Sequence, residues 1–200
     1  SKKPAPLYKT RVKMLWDDHH LYVLAEMEEP HLWATLTKHD AIIYHDADFE
    51  VFLDPTNDQQ QYFEYEINAL GTVMDLFMDK PYKKGGRANL NWNSTNLQTA
   101  VSVKGTLNDN RDRDAGWVVE MAIPFKDLER PGRISRPKAG AAWRINFSRV
   151  QWLLVNDGQS YQRQKSETGK FLPEFNWVWS PQGVIDMHQP QYWGFIHFKD

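Results

Sequence analysis

Two carboxylate pairs stand at i, i+2 spacing: Asp48 with Glu50, and Glu64 with Glu66. On an extended chain such a pair shares one face, so both acids can meet one substrate. Glycosidic bond cleavage needs two carboxyl groups about 5–10 Å apart across a sugar ring. Alternating acids on a half-buried strand are more often a solvated edge, and that is the expectation here. Other catalytic signatures are missing. The chain has no G-x-S-x-G, no H-E-x-x-H, no P-loop and no dinucleotide fingerprint. It also has no cysteine, which excludes disulfides, thiolate zinc sites, iron–sulfur clusters and a cysteine nucleophile.

Metal-ligand spacing is weak. His19 and His20 are adjacent in the polar run Asp17–His20, so in a turn they point different ways. Asp112, Asp114 and Gly116 echo the opening of a calcium loop, but no Glu closes it and arginines interrupt it. A solvated turn is the simpler reading. Lys80 to Arg87 is a short basic loop on a balanced chain. Asn93-Ser94-Thr95 matches a glycosylation sequon, which matters only in a secreted protein of a glycosylating host.

The aromatic residues carry more information: nine Trp, eight Tyr and ten Phe. Trp16, Trp117, Trp143 and Trp193 run in phase with apolar strand positions and read as core. Trp33, Trp92, Trp177 and Trp179 fall in segments that read as loops, beside Asn, Thr, Ser and Pro. A sugar presents flat C–H faces between its hydroxyls. An exposed indole can cover such a face while amides and carboxylates bind the hydroxyls. These four rings are therefore either sugar platforms or plugs at the ends of a sandwich, and the residues alone leave both open.

The elements that must position these groups have a period of two. Alternation runs through Val12–Trp16, Leu21–Ala25, Phe49–Leu53, Phe63–Ala69, Leu97–Val103, Trp117–Ile123, Trp143–Phe147 and Trp193–Phe198, with a further strand in Thr72–Met78. Asp79 to Asn96 and Asn156 to Pro173 read as loops, the latter as a ragged hairpin. Phe125 to Glu129 reads as one helical turn. Glu29 to Ala41 is the main rival helix, weakened by its threonines and histidines. About nine strands with turn signals between them predict an all-β fold: one antiparallel β-sandwich or jelly roll over 1–200, with long loops and at most short helical turns. Net charge is −2, from 24 basic and 26 acidic residues, which argues against nucleic acid as a partner. No apolar run is long enough to span a bilayer, and no signal peptide is visible at Ser1-Lys2-Lys3-Pro4.

Leu21-Tyr22-Val23, the run Asp46-Ala47-Asp48-Phe49-Glu50-Val51-Phe52-Leu53-Asp54-Pro55 and Gly116-Trp117 through Ile123-Pro124-Phe125 together resemble the family 9 carbohydrate-binding modules. Asn146-Phe147-Ser148-Arg149 and Trp193-Gly194 fit the same order. The resemblance covers nearly the whole chain and implies a non-catalytic β-sandwich that binds a mono- or oligosaccharide in polysaccharide breakdown. It also implies a glycosidase domain in the same or a neighbouring protein, and a secreted, periplasmic or cell-surface location. Family domains often begin upstream of Pro4, so an upstream segment is expected to be lacking here. Two aromatic rings and a Glu bind the sugar in such modules; the Glu matches Glu50, and one ring matches Tyr44. The second ring falls on Met187, and a basic residue of the next strand falls on Glu66. Trp177 or Trp179 is then expected to supply the missing ring, with Asn68 and Arg149 binding hydroxyls. Structural calcium is also implied, with Asp46 and Asp48 as candidate ligands. Two other readings stand beside this one. One is a glycoside hydrolase acting through Glu50 and a second acid. The other is a haem-binding domain of similar fold with Met187 as axial ligand.

Overall fold

The alternating segments become strands throughout. The computed structural model describes residues 6–130 and 136–199. In chain order the strands are β1 (Thr10–Trp16), β2 (His20–Glu28), β3 (Asp48–Asp54), β4 (Tyr62–Asn68), β5 (Val73–Met78), β6 (Ala88–Asn89) and β7 (Gln98–Lys104). They continue with β8 (Gly116–Pro124), β9 (Ala142–Gln151), β10 (Leu154–Asn156), β11 (Tyr161–Arg163), β12 (Phe175–Val178) and β13 (Gly194–His197). Four-stranded β1-β2-β8-β7 faces a larger sheet ordered β12-β9-β3-β4-β5-β6, in which β13 also pairs with β9. β10 and β11 form a separate hairpin. Every pair is antiparallel, as hairpin-rich alternation predicts.

Between the sheets lie the inward residues of both: Val23, Trp117 and Val119 from one, and Phe49, Val51, Tyr65 and Ile145 from the other, all buried. Trp143 and Trp193 are also buried, and Trp16 is half-buried against the same packing. The β1–β2 turn is closed by Asp17, whose Oδ1 accepts the backbone N–H of His19 at 2.7 Å and of His20 at 2.8 Å. The two histidines thus belong to a turn.

Glu29 to Ala41 is not a helix. Its backbone groups are taken by side chains from the β7–β8 connection. The Asp114 carboxylate accepts the N–H of Leu32 and of Thr106, each at 2.8 Å. Asn108 bonds both the N–H and the carbonyl of Ala34. Asp114 is therefore a buried loop clasp with both oxygens engaged, and the Asp112–Gly116 run is no calcium loop. Among the described residues the only helical segments are four single 3₁₀ turns, including Phe125–Leu128 where a turn was expected.

The larger sheet differs from expectation in one respect that matters for function. Every residue of β3 and β4 is buried, on both faces. Long connections roof the outer face, where their Ile43 and Trp193 pack with the outward Phe52 of β3, Tyr62 of β4 and Met74, Leu76 and Met78 of β5. The acids that alternation assigned to a solvated edge lie under that roof.

Gly116 opens β8 with φ of 144° at the join to Glu28 and Lys104. A Cβ there would overlap the Met27 carbonyl. Gly116→Ala should lower stability by about 2 kcal/mol or more, from clash plus a backbone conformation that L residues avoid. Urea unfolding checks this; an unchanged midpoint would contradict the pairing described.

Candidate functional site

The roof does not close completely. Between the 3₁₀ turn Ile43–His45, the Tyr82–Lys84 turn and the stretch 185–188 it leaves a cleft of about 450 Å³ on the outer face of the larger sheet. Its floor comes from neighbouring strands. Glu50 lies opposite Glu66 across β3–β4 and opposite Ser148 across β3–β9. Glu64 and Asp48 are the next outward residues on their strands. Directly opposed residues on one sheet face place their side chains about 5 Å apart, so this register forces like charges together. Asp48, Glu50, Glu64 and Glu66 are each at most 4% exposed.

Among the described residues no Lys or Arg lines the cleft. Burial, reinforced by the neighbouring carboxylates, holds Asp48, Glu64 and Glu66 well above the usual carboxylate range. Burial pushes Glu50 up to about 7. His188 faces Glu64 at 3.6 Å, but burial pulls its ring down to about 4, so at neutral pH it carries no charge. Its Nδ1 pairs with the Tyr62 hydroxyl at 2.9 Å.

Tyr44 is fixed from both sides of its backbone. Its N–H donates to Glu66 Oε2 at 3.0 Å, and its carbonyl accepts from Trp152 Nε1 at 2.9 Å. The ring itself stays 40% exposed at the cleft rim. A second exposed ring, Tyr82, borders the same cleft at 47% exposure and leans on His188. Asn176 of β12 adds an amide, and Met187 adds an apolar wall.

Of the residues proposed from sequence, the cleft brings together Tyr44 and Glu50. Asn68 lies outside it and has no capacity to spare. Its amide donates to the Leu36 carbonyl and to Asp46, and its carbonyl accepts from Leu70 and Thr72. Arg149 points to the opposite face of the sheet, since it is in phase with inward Phe147. There it is buried and bonds Glu29 at 2.8 Å and Gln151 at 2.8 Å. Trp177 follows it inward because β12 pairs Trp177 with Arg149; the segment read as a loop is a strand. Trp177 and Trp179 line a separate groove of about 830 Å³ at the open edge between the sheets. Trp92 packs on Phe63 and on the core, so it is a plug. Trp33 is half-buried in the β2–β3 connection and lines neither cleft.

The implied calcium ligands separate in the same way. Asp46 is filled: its oxygens accept from Thr35 N–H and Oγ1, from Leu36 N–H and from Asn68 Nδ2. Such a carboxylate clasps a loop and has nothing left for an ion. Asp48 accepts one bond, from Val150 N–H, and its other oxygen has no donor. Tyr82, Asn176 and His188 were not among the residues singled out from sequence. Each falls in a stretch without strong periodicity, and only the chain's return over β3 and β4 brings them to one place.

Two outcomes follow from these placements. Arg149→Met should cost about 3–5 kcal/mol by stranding Glu29, and adding Glu29→Leu should recover most of it, as measured by urea unfolding. Equal losses in the single and double variants would contradict the pairing. The second concerns pH. A carboxyl whose pKa is higher folded than unfolded stabilises fully below the unfolded value and loses that contribution as pH rises through the folded value. For Glu50 the window runs from 4.5 to about 7. In chelating buffer Tm should therefore fall between these limits, and Glu50→Gln should flatten the fall. A Tm that rises across the window would contradict it.

The carbohydrate family 9 binding domain-like family matches residues 3–168. Exoglucanase XynX of Acetivibrio thermocellus is 30% identical over 121 residues, which is 58% of this chain and 9% of that enzyme. The chain thus spans under a tenth of that curated relative. Among solved structures, a Bacteroides uniformis protein proposed to bind carbohydrate superposes with a TM-score of 0.68 at 16% identity, covering 96% of this chain and 79% of that one. A family 9 carbohydrate-binding module from Caldicellulosiruptor kristjanssonii, in complex with cellotriose, superposes with a TM-score of 0.59 at 18% identity, covering 98% and 77%. At those identities the likeness establishes the sandwich fold. The family match establishes more: the chain belongs to the carbohydrate family 9 binding domain-like family, a family of binding modules.

Proposed function

We propose that the module binds a saccharide in the outer-face cleft, with Tyr44 and Tyr82 covering its C–H faces and the floor acids hydrogen-bonding its hydroxyls. The observation that supports this most is the pairing of two exposed tyrosines over a polar floor in one 450 Å³ cleft. Aromatic faces and hydroxyl acceptors are what a sugar's two chemistries require. Asn176, carrying both a donor and an acceptor, suits a hydroxyl that plays both roles. Tyr82 takes the part of the second ring that the family pattern places at Met187. The glucanase relative and the cellotriose-bound neighbour favour a β-linked glucose oligomer. By the same reasoning the module serves a larger polysaccharide-degrading protein that is secreted or held in the periplasm or at the cell surface. No helix among the described residues is long and apolar enough to cross a membrane.

The reading is one of binding without turnover. A glycosidase sets its two carboxyls on either side of the scissile bond. Here Glu50, Glu64 and Glu66 lie side by side on one sheet face, which favours binding over turnover. The haem alternative meets a geometric obstacle as well. Met187 and His188 both border the cleft, but adjacent residues cannot ligate opposite faces of one macrocycle, and Met187 Sδ already accepts from Gln182.

Calorimetry with glucose, cello-oligosaccharides and xylo-oligosaccharides tests the proposal. A Kd of about 10⁻⁶ to 10⁻³ M is expected, since a small polar ligand buries little apolar area. Tyr44→Ala and Tyr82→Ala should each weaken it by at least about tenfold, while Trp92→Phe should not. No heat with any of these sugars at millimolar concentration would overturn the reading. So would turnover of aryl glycosides that is lost in Glu50→Gln.

A further inference from the structure

On the face of the larger sheet away from the cleft, a histidine and two aspartates meet. Asp75 of β5 is in phase with inward Val73 and Phe77 and lies opposite Tyr65. It is 1% exposed. Its Oδ2 accepts the Ser94 N–H at 2.5 Å, while its Oδ1 is buried and accepts no hydrogen bond from any described residue. Such oxygens are few in folded proteins, and a bound ion is one of the standard reasons for them.

The group that faces this oxygen is His39. Its Nε2 stands 3.6 Å from Asp75 Oδ1, and its Nδ1 stands 3.1 Å from Asp40 Oδ1. Asp40 adopts left-handed backbone, with φ of 61°, and its N–H donates to the Val73 carbonyl at 3.1 Å. That contact sets Asp40 beside the start of β5. Among the described residues neither carboxylate pairs with a Lys or Arg. Asp127 lies beyond Ser94 and is already engaged by Ser94 Oγ and by the N–H and Nδ2 of Asn96.

A neutral imidazole has one N–H and one lone pair. With a carboxylate at each nitrogen, one carboxylate meets the lone pair, which is repulsive unless a cation stands between them. At 3.6 Å, Nε2 and Asp75 Oδ1 are also too far apart for a hydrogen bond. They are spaced as neighbouring ligands of one tetrahedral ion are, because bonds of about 2.0–2.2 Å set such ligands about 3.3–3.6 Å apart. One ligand atom from each of His39, Asp40 and Asp75 lies within 4.8 Å of the other two.

We propose that His39, Asp40 and Asp75 hold one divalent cation of the zinc class, with water in the remaining position. An imidazole with two carboxylates is a zinc-type set, whereas calcium and magnesium take oxygen ligands. The His39 side chain is 54% exposed, so the ion has a path from solvent. Bound there, it ties the β2–β3 connection, which carries Tyr44, to β5.

The test uses the whole chain, stripped with a chelator and returned to neutral pH. Co²⁺ is titrated by its visible absorption, and Zn²⁺ by competition against it. One saturable site is expected, with the intense bands of four-coordinate Co²⁺, displacement by Zn²⁺ and no displacement by millimolar Ca²⁺. The Kd for Zn²⁺ should be roughly 10⁻⁶ to 10⁻⁵ M. His39→Ala and Asp75→Asn should each weaken binding by at least about tenfold, and His19→Ala, in the β1–β2 turn, should leave it unchanged. Should Asp75→Asn fail to fold, His39→Ala still decides, and Zn²⁺ must also raise the wild-type Tm. No saturable binding and no Tm shift at about ten times the weakest expected Kd would overturn the proposal, leaving the cluster an ion pair bridged by protonated His39. Wild-type affinity in His39→Ala, or loss of binding in His19→Ala, would do the same. No sugar enters the experiment, so its failure leaves the saccharide reading standing.

Discussion

β3 runs through the middle of the larger sheet, and three of its four outward side chains, Asp48, Glu50 and Asp54, are carboxylates that water barely reaches. That constraint shapes everything above them. Inward, Phe49, Val51 and Leu53 join the core, which fixes the strand's phase and leaves the acids no other face. A roof over such a floor must either supply donors or leave room for an occupant that does. Near Asp54 it supplies donors: the backbone N–H groups of Thr56, Asn57 and Gln59 all converge on that carboxylate. Above Asp48 and Glu50 it leaves room, and the cleft is the result.

The same device, a buried side chain taking up loose backbone groups, holds each part of the roof. Asp46 and Asn68 gather the connection that carries Tyr44. Asn146 anchors Ser180 and so the stretch leading to Met187 and His188. Asp79 accepts from the N–H of Arg87 and ties down the turn that carries Tyr82. Charge-assisted bonds of this kind are shorter and stronger than neutral ones, which lets long loops keep a shape without a helix or strand of their own. The two tyrosines are thus set by carboxylates and amides that never touch a ligand.

The positions of most strands along the chain and their phase were legible from sequence, because alternation marks which side chains meet the core. Phe49 and Phe147 in the same layer, or Trp117 and Trp143 inside, follow from phase alone. β12 was not legible: Phe175–Val178 is only four residues long, between Pro173 and Ser180-Pro181, so Trp177 looked like a loop ring when its partner Arg149 draws it inward. Asn68 and Asp46 stand out as polar residues in the sequence, but no pattern reveals that a side chain's bonds are already used. The acids at Glu64 and Glu66 show the limit most plainly. A period of two assigns them an outward face, but whether that face meets water depends on loops over a hundred residues away, such as 180–193.

The account rests on the outer-face cleft as the place where ligand sits, and the methionines report on it directly. Met74 and Met187 line that cleft, Met14 lines the groove beside Trp177, and Met27 and Met121 lie in the core. In a methyl NMR titration with a cello-oligosaccharide, the Met74 and Met187 signals should move together with saturation while those of Met27 and Met121 stay still. Movement confined to Met14, with Met74 and Met187 unchanged, would place the sugar on the other side of the sheet and contradict the account.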